Sequence, residues 1–311
     1  MAGTRDDDAP SSALFDEQHS AEIVAGSFAA TPDPRLREIM TALVEHAHAF
    51  VEEVGLTTAE WQHAIDFLTE TGQACSGTRQ EFILLSDVLG VSMLVETLNN
   101  RSGDTLTEST VEGPFHLLAS PRRELGDDID EVGSGEPCLI TGRVLDDRGD
   151  PVAGAQVDVW QADADGFYDV QRPGEVPERN LRGLFSTDES GRFWFRSVVP
   201  CYYPIPTDGP VGRLLHASDR HPYRAAHVHF EVSAPGVRTL TTHLFVAGSP
   251  YLDSDAVFGV KRSLIREFAE VDDPDRAEEA GLRNPFRHAD FPIIVQREQA
   301  PPPAATSDDG R

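Results

Sequence analysis

The chain has 311 residues, 39% hydrophobic and 25% charged, the balance of an ordinary globular protein with a sizeable core. A formal net charge of -27 argues against nucleic acid or an anionic membrane as partner, because either surface would repel it. Three scattered cysteines, Cys75, Cys138 and Cys201, are too few for a disulfide framework, and neither a signal sequence nor a membrane-spanning run is evident; the expectation is a cytoplasmic protein.

Residues 1–29 carry the acidic run Asp6, Asp7, Asp8, Asp16, Glu17 and Glu22 with few large apolar side chains, and read as a flexible tail. From 34 to 54, Leu36, Ile39, Met40, Leu43, Val44, Ala47, Phe50 and Val51 recur at helical spacing between an Asp33-Pro34 start and a Gly55 stop. Thr57 with Glu60 forms a capping box for a second helix ending near Gly72, and Thr78 with Glu81 one for a third ending near Asn99. Residues 30–105 thus read as a helical module with more apolar surface than three helices can bury among themselves.

Beyond Gly135 the pattern changes to short apolar or alternating runs separated by turns: Leu139 to Leu145, Ala155 to Gln161, Phe193 to Val199 and His227 to Val232. The last of these is expected to pair with Arg238 to Val246 across Ala234-Pro235-Gly236. This is the pattern of an antiparallel β-sandwich over 106–298, giving an α+β chain; a final helix is expected over Gly259 to Glu270, and 299–311 reads as a second flexible tail.

Chemistry concentrates in the sandwich. In His227-Val228-His229 the two imidazoles are two residues apart on a strand, so both point to one face and can reach one metal ion. An isolated His-x-His is more often two histidines that merely alternate. All five tyrosines, however, fall between Tyr168 and Tyr251, and two contexts, Gly166-Phe167-Tyr168 and Pro200-Cys201-Tyr202-Tyr203-Pro204, place them beside Gly and Pro breakers, where β-propensity does not explain them. A phenolate is a hard anionic oxygen donor, and a set of two phenolates and two imidazoles suits Fe(3+) better than zinc or Fe(II).

Gly166-x-Tyr168, Val199-Pro200-x-x-Tyr203 and Arg224-x-x-His227-x-His229, in this order, resemble the intradiol ring-cleaving dioxygenases, over roughly residues 30 to 295. The resemblance implies that Tyr168, Tyr203, His227 and His229 hold Fe(3+), with Tyr203 displaced when a catecholate binds and accepting one of its protons. Tyr202 is the rival for Tyr203, but spacing from Val199-Pro200 favours Tyr203. Arg224 would stabilise charge developing on the ring, and the product would be a muconate-type diacid. The resemblance further implies a homodimer joined through the N-terminal helices, where members of the family can hold a lipid.

Leu84-Leu85-Ser86-Asp87, Val111-Glu112-Gly113-Pro114-Phe115 and His221-Pro222-Tyr223-Arg224 look most like members that cleave hydroxyquinol, with catechol or chlorocatechol as the alternative substrate. Leu84, Asp87, Val111, Pro114, Phe115, Tyr202, Arg224 and His243 are the expected substrate contacts. Asp87 stands where catechol-cleaving members usually carry an apolar residue, and His243 where they commonly have glutamine; Ala225 replaces a more usual proline. Asp163-Ala164-Asp165-Gly166 lacks the remaining ligands of a calcium loop and reads as a polar turn that presents Tyr168. A reading of a different class is a metal-free, transthyretin-like β-sandwich binding module.

Overall fold

The computed structural model describes residues 14–77, 79–100, 103, 105–117 and 120–298. The elements in chain order are α1 (Ser20–Gly26), α2 (Pro34–Val54), α3 (Thr58–Gln73), α4 (Glu81–Val88), α5 (Val91–Asn99), β1 (Pro137–Asp146), β2 (Gln156–Gln161), β3 (Arg182–Ser186), β4 (Arg192–Val198) and β5 (Tyr203–Pro204). There follow α6 (Pro210–Ala217), β6 (Tyr223–Arg224), β7 (His227–Ala234), β8 (Val237–Val246), β9 (Ile265–Arg266), β10 (Ala269–Val271), α7 (Pro274–Ala280), β11 (Phe286–Asp290) and β12 (Ile293–Val295). The chain divides into two compact units, Met1–Thr69 and Glu70–Arg311, the division falling within α3.

In the first unit, Asp33 caps α2 by accepting from the Arg35 and Leu36 amides, and Gly55 ends it in the left-handed conformation. The expected capping box of α3 is present: the Thr57 amide donates to Glu60 Oε2 at 2.9 Å, and the Glu60 amide to Thr57 Oγ1 at 3.3 Å. Residues 20–26, expected within the flexible tail, form α1 instead; Ser20 is buried and its hydroxyl lies 3.0 Å from His48 Nδ1, an anchor that acidic composition does not reveal. No residue of α2 is buried, and Leu36, Ile39, Leu43 and Phe50 are exposed along it.

Asp6, Asp7, Asp8, Thr78 and the tail from 299 lie outside the described residues. The expected third helix is two helices, because Gly90 between α4 and α5 adopts φ 72°, a left-handed conformation that breaks the helix. Leu84 and Val88 of α4 bury against Ile205, Val211, Leu215, Ala256 and Val257, inside the second unit. No helix among the described residues is long and apolar enough to cross a membrane.

Two five-stranded sheets form the sandwich: one orders β10-β11-β1-β12 with β4 on β1, the other β3-β2-β7-β8-β9. The expected β7-β8 hairpin is present, whereas β1 and β2, neighbours in sequence, lie in different sheets. Most pairings are antiparallel, but β1 runs parallel to both β11 and β12, and β8 parallel to β9. Ile140, Val144, Phe193 and Phe195 from one sheet meet Val157, Val159, Val228, Phe230 and Val232 from the other in one core. Each large apolar side chain so buried contributes about 1.5–3 kcal/mol. The helix expected over Gly259 to Glu270 is absent: a single turn at Arg262–Leu264 and the strands β9 and β10 occupy that stretch. The helical signal falls later, at α7, capped by Asp273 and stopped by Gly281.

Candidate metal centre

Alternation along β7 sends Val228, Phe230 and Val232 into the core and leaves His227 and His229 on the opposite face. On that face the register lays Arg182, Trp160, His229 and His243 in one row across β3, β2, β7 and β8. Trp160 is fully buried and stacks on the His229 ring at 4.7 Å with 10° between planes. Gly113 covers the ring edge; it has φ 80°, and a Cβ there would stand 3.1 Å from His229 Cε1.

Hydrogen bonds fix the histidine tautomers. His227 Nδ1 lies 2.6 Å from the Ala225 carbonyl, which can only accept, so Nδ1 carries the hydrogen and Nε2 keeps its lone pair. His229 Nε2 faces His227 Nε2 at 3.1 Å, while His229 Nδ1 meets His243 Nε2 at 2.7 Å. Burial holds all three imidazoles below the usual histidine range, in the neutral form that metals bind. The nitrogen atoms of His227, His229 and His243 lie within 4.8 Å of one another. His243 engages the nitrogen of His229 that points away from His227, which places it behind that ring.

The two candidate tyrosines reach the same place from turns. Asp163 Oδ1 accepts from the Asp165 and Phe167 amides at 2.9 Å each, closing the expected polar turn, and Gly166 at φ 87° passes so near Tyr202 that a Cβ would stand 2.8 Å from its carbonyl oxygen. Tyr168 and Tyr203 are 1% and 2% exposed, with hydroxyls 3.4 Å apart, and Phe115 stacks on Tyr168 at 4.5 Å. Tyr202 is 38% exposed and packs with Tyr223 and Tyr251, so alternation turns it away from Tyr203.

Arg224 is buried with Tyr203 as its β-bridge partner; its Nη1 lies 3.4 Å from Tyr203 Oη and 3.2 Å from His227 Nε2. Burial works against its charge, but the Asp255 carboxylate beside it holds it in the protonated state. Burial also pushes the Tyr168 phenol well above its usual range, with Tyr203 adding to the effect and Arg224 and Arg182 only partly opposing it, so ionising this phenol requires a stronger cation bound at the hydroxyl. Two neutral imidazoles and two phenols around one point therefore fit a hard metal ion whose charge would make the phenols anionic.

Beside this cluster is a cavity of about 1200 Å³, lined among others by Leu84, Asp87, Val111, Pro114 and Phe115. The four donors do not line it; Phe115, shared with Tyr168, connects the two. Asp87 is 6% exposed, and burial raises its carboxyl above the usual range, a rise opposed by the Ser92 hydroxyl and Arg224. Sequence alone missed Trp160, Asp255 and the buried Arg182–Asp169 pair at 2.6 Å, since each joins the site across strands or loops and carries no local motif.

A family profile described as Dioxygenase matches residues 111–287, and one described as Catechol dioxygenase N terminus matches residues 33–106. The chain is 54% identical to a hydroxyquinol 1,2-dioxygenase of a Rhizobium species, covering 91% of this chain and 96% of that protein. It is 52% identical to a 6-chlorohydroxyquinol 1,2-dioxygenase of Cupriavidus pinatubonensis, covering 83% and 94%. A solved hydroxyquinol 1,2-dioxygenase from Pseudomonas putida superposes with a TM-score of 0.85 at 47% identity, covering 91% of this chain and 99% of that one.

Proposed function

The chain belongs to the intradiol ring-cleaving dioxygenases, and from that premise we propose that it opens hydroxyquinol (1,2,4-trihydroxybenzene) with O2 to 3-hydroxy-cis,cis-muconate, the tautomer of maleylacetate. Tyr168, Tyr203, His227 and His229 hold Fe(3+). The bound ion supplies the Lewis acidity that activates the diol toward O2.

The residues of this chain do the rest. Tyr203, a phenolate when iron is bound, would accept a proton from one ring hydroxyl at its Oη. Tyr168, wedged between Phe115 and Tyr203, would remain a fixed donor to the ion. The Arg224 guanidinium, buried beside Tyr203, stabilises negative charge that develops on the ring. Leu84, Val111, Pro114 and Phe115 exclude water around the apolar faces of the substrate.

The observation that carries the substrate assignment is the burial of Asp87, at 6% exposure, on the wall of the adjoining cavity. Facing plain catechol, such a carboxylate has the Ser92 hydroxyl but no donor from the ring; facing a ring with a third hydroxyl, it gains a further hydrogen bond. Anaerobic titration of the iron-loaded enzyme with hydroxyquinol and catechol, followed by oxygen and product identification, tests metal, substrate and cleavage position together. Asp87→Leu is expected to lower kcat/KM for hydroxyquinol about 10- to 100-fold and to spare catechol. An unchanged ratio between the two substrates sinks the assignment.

Residues 30–105 serve dimerisation and 106–298 catalysis in a cytoplasmic homodimer. Support for this comes from α2 and α3, where Leu36, Leu43, Phe50, Trp61 and Leu68 stand exposed as a second copy of the chain would require.

A further inference from the structure

Burying a guanidinium and a carboxylate is unfavourable unless each satisfies the other, so a fully internal pair marks a place where the charge is needed. Arg224 and Asp255 are such a pair, each side chain 2% exposed and joined from Nε to Oδ1 at 3.2 Å. The other oxygen, Asp255 Oδ2, accepts from the Gly259 amide at 2.7 Å. One carboxylate thus ties the arginine to the loop that contains it.

That loop is itself held. The Ala256 amide donates to the Tyr223 carbonyl at 3.0 Å, Arg220 Nη2 donates to the Ala256 carbonyl at 3.0 Å, and Val257 is buried against Leu84. Nε is on Asp255, Nη1 lies beside Tyr203 Oη and His227 Nε2, and Nη2 has no hydrogen-bond partner among the described residues. Gly259 makes room for it, since a Cβ there would stand 2.9 Å from Nη2.

We propose that Asp255 is the positioning residue of the ring-opening reaction: with Gly259 it fixes the plane of the Arg224 guanidinium so that the edge held beside Tyr203 Oη is presented to an oxygen of the reacting diol. This rests on the proposed role of Arg224 in charge stabilisation. Asp255 touches neither substrate nor metal and acts through Arg224 alone.

The test is a double-mutant cycle on the iron-loaded enzyme. Asp255→Asn keeps a side-chain oxygen for the Gly259 amide and removes the charge that orients Arg224. It is expected to lower kcat at least tenfold with KM changed less than threefold, the split expected for an interaction made in the transition state. Asp255→Glu should recover part of the loss. Asp255→Asn in an Arg224→Ala background should cost less than threefold more, because the residue it orients is gone.

An undiminished kcat in Asp255→Asn, or an equal loss in the Arg224→Ala background, overturns the proposal. Should Asp255→Asn fail to fold, Gly259→Ala, which leaves both charges in place and crowds Nη2, is expected to lower kcat severalfold with iron content unchanged. A wild-type kcat in that variant overturns it equally. A wild-type enzyme that opens no diol at all would instead overturn the assigned reaction.

Discussion

His243 Nε2 lies 2.7 Å from His229 Nδ1, on the side of the ring that faces away from His227. When the opposite nitrogen of His229 binds metal, the hydrogen shared here must sit on His229 with His243 Nε2 accepting. His243→Leu removes the acceptor and is expected to weaken iron binding about 10- to 100-fold. His243→Gln, which can still accept, should lose much less. Competition with a chelator followed by visible absorption measures both, and equal iron retention in the Leu variant and the wild type would refute the role.

Because burial keeps the Tyr168 phenol protonated unless a cation is near, loading the protein with ferric iron should ionise it and generate a phenolate-to-iron absorption in the visible range. The loaded protein should be reddish, and zinc loading should leave it colourless. Tyr168→Phe and Tyr203→Phe should each shift and weaken the band. A reconstituted sample without visible absorption would remove the phenols from the site and return the chain to a metal-free reading.

The same burial sets a pH dependence in the iron-free protein. His227, His229 and His243 are held below the ordinary value of 6.5. Above that pH each ring is neutral whether the chain is folded or unfolded, so folding stability is insensitive to it. As pH falls below 6.5, the unfolded chain takes up protons that the folded site refuses, and stability is lost. The slope should approach about 1.4 kcal/mol per pH unit for each histidine, and about 4 for the three together. Urea midpoints measured from about pH 7.5 down to about pH 5.5 give the slope; His243→Leu should make it shallower, and a flat profile would contradict the buried neutral assignment.

Strand period made the His227–His229 pair legible in the sequence, and spacing from Val199-Pro200 favoured Tyr203 over Tyr202 before any coordinates. Breakers did the same for the turn at Gly166. What stayed hidden was set by distant chain: nothing near Asp255 announces Arg224, and nothing near Trp160 announces His229, because both contacts come from sheet register and loop return. His243 was legible as a site residue, whereas its pairing with His229 on the neighbouring strand was not. The expected helix over Gly259 to Glu270 failed for a related reason: Asp255 and Lys261 bind that segment to Arg224 and to the Ser109 carbonyl, and those ties favour extended chain. The short α1 shows the opposite error, a weak local signal stabilised by one tertiary anchor at His48.

The parallel pairing of β1 with β11 joins Cys138 to Arg287 and Thr141 to Asp290, partners nearly half the chain apart. During synthesis the edge of β1 that receives β11 must wait until almost all of the chain has left the ribosome. The helices at the start can form early from local contacts, but the sandwich that carries the metal donors closes only at the end. A nascent chain halted before Phe286 therefore presents an open strand edge that its high net charge alone must keep from pairing with another chain.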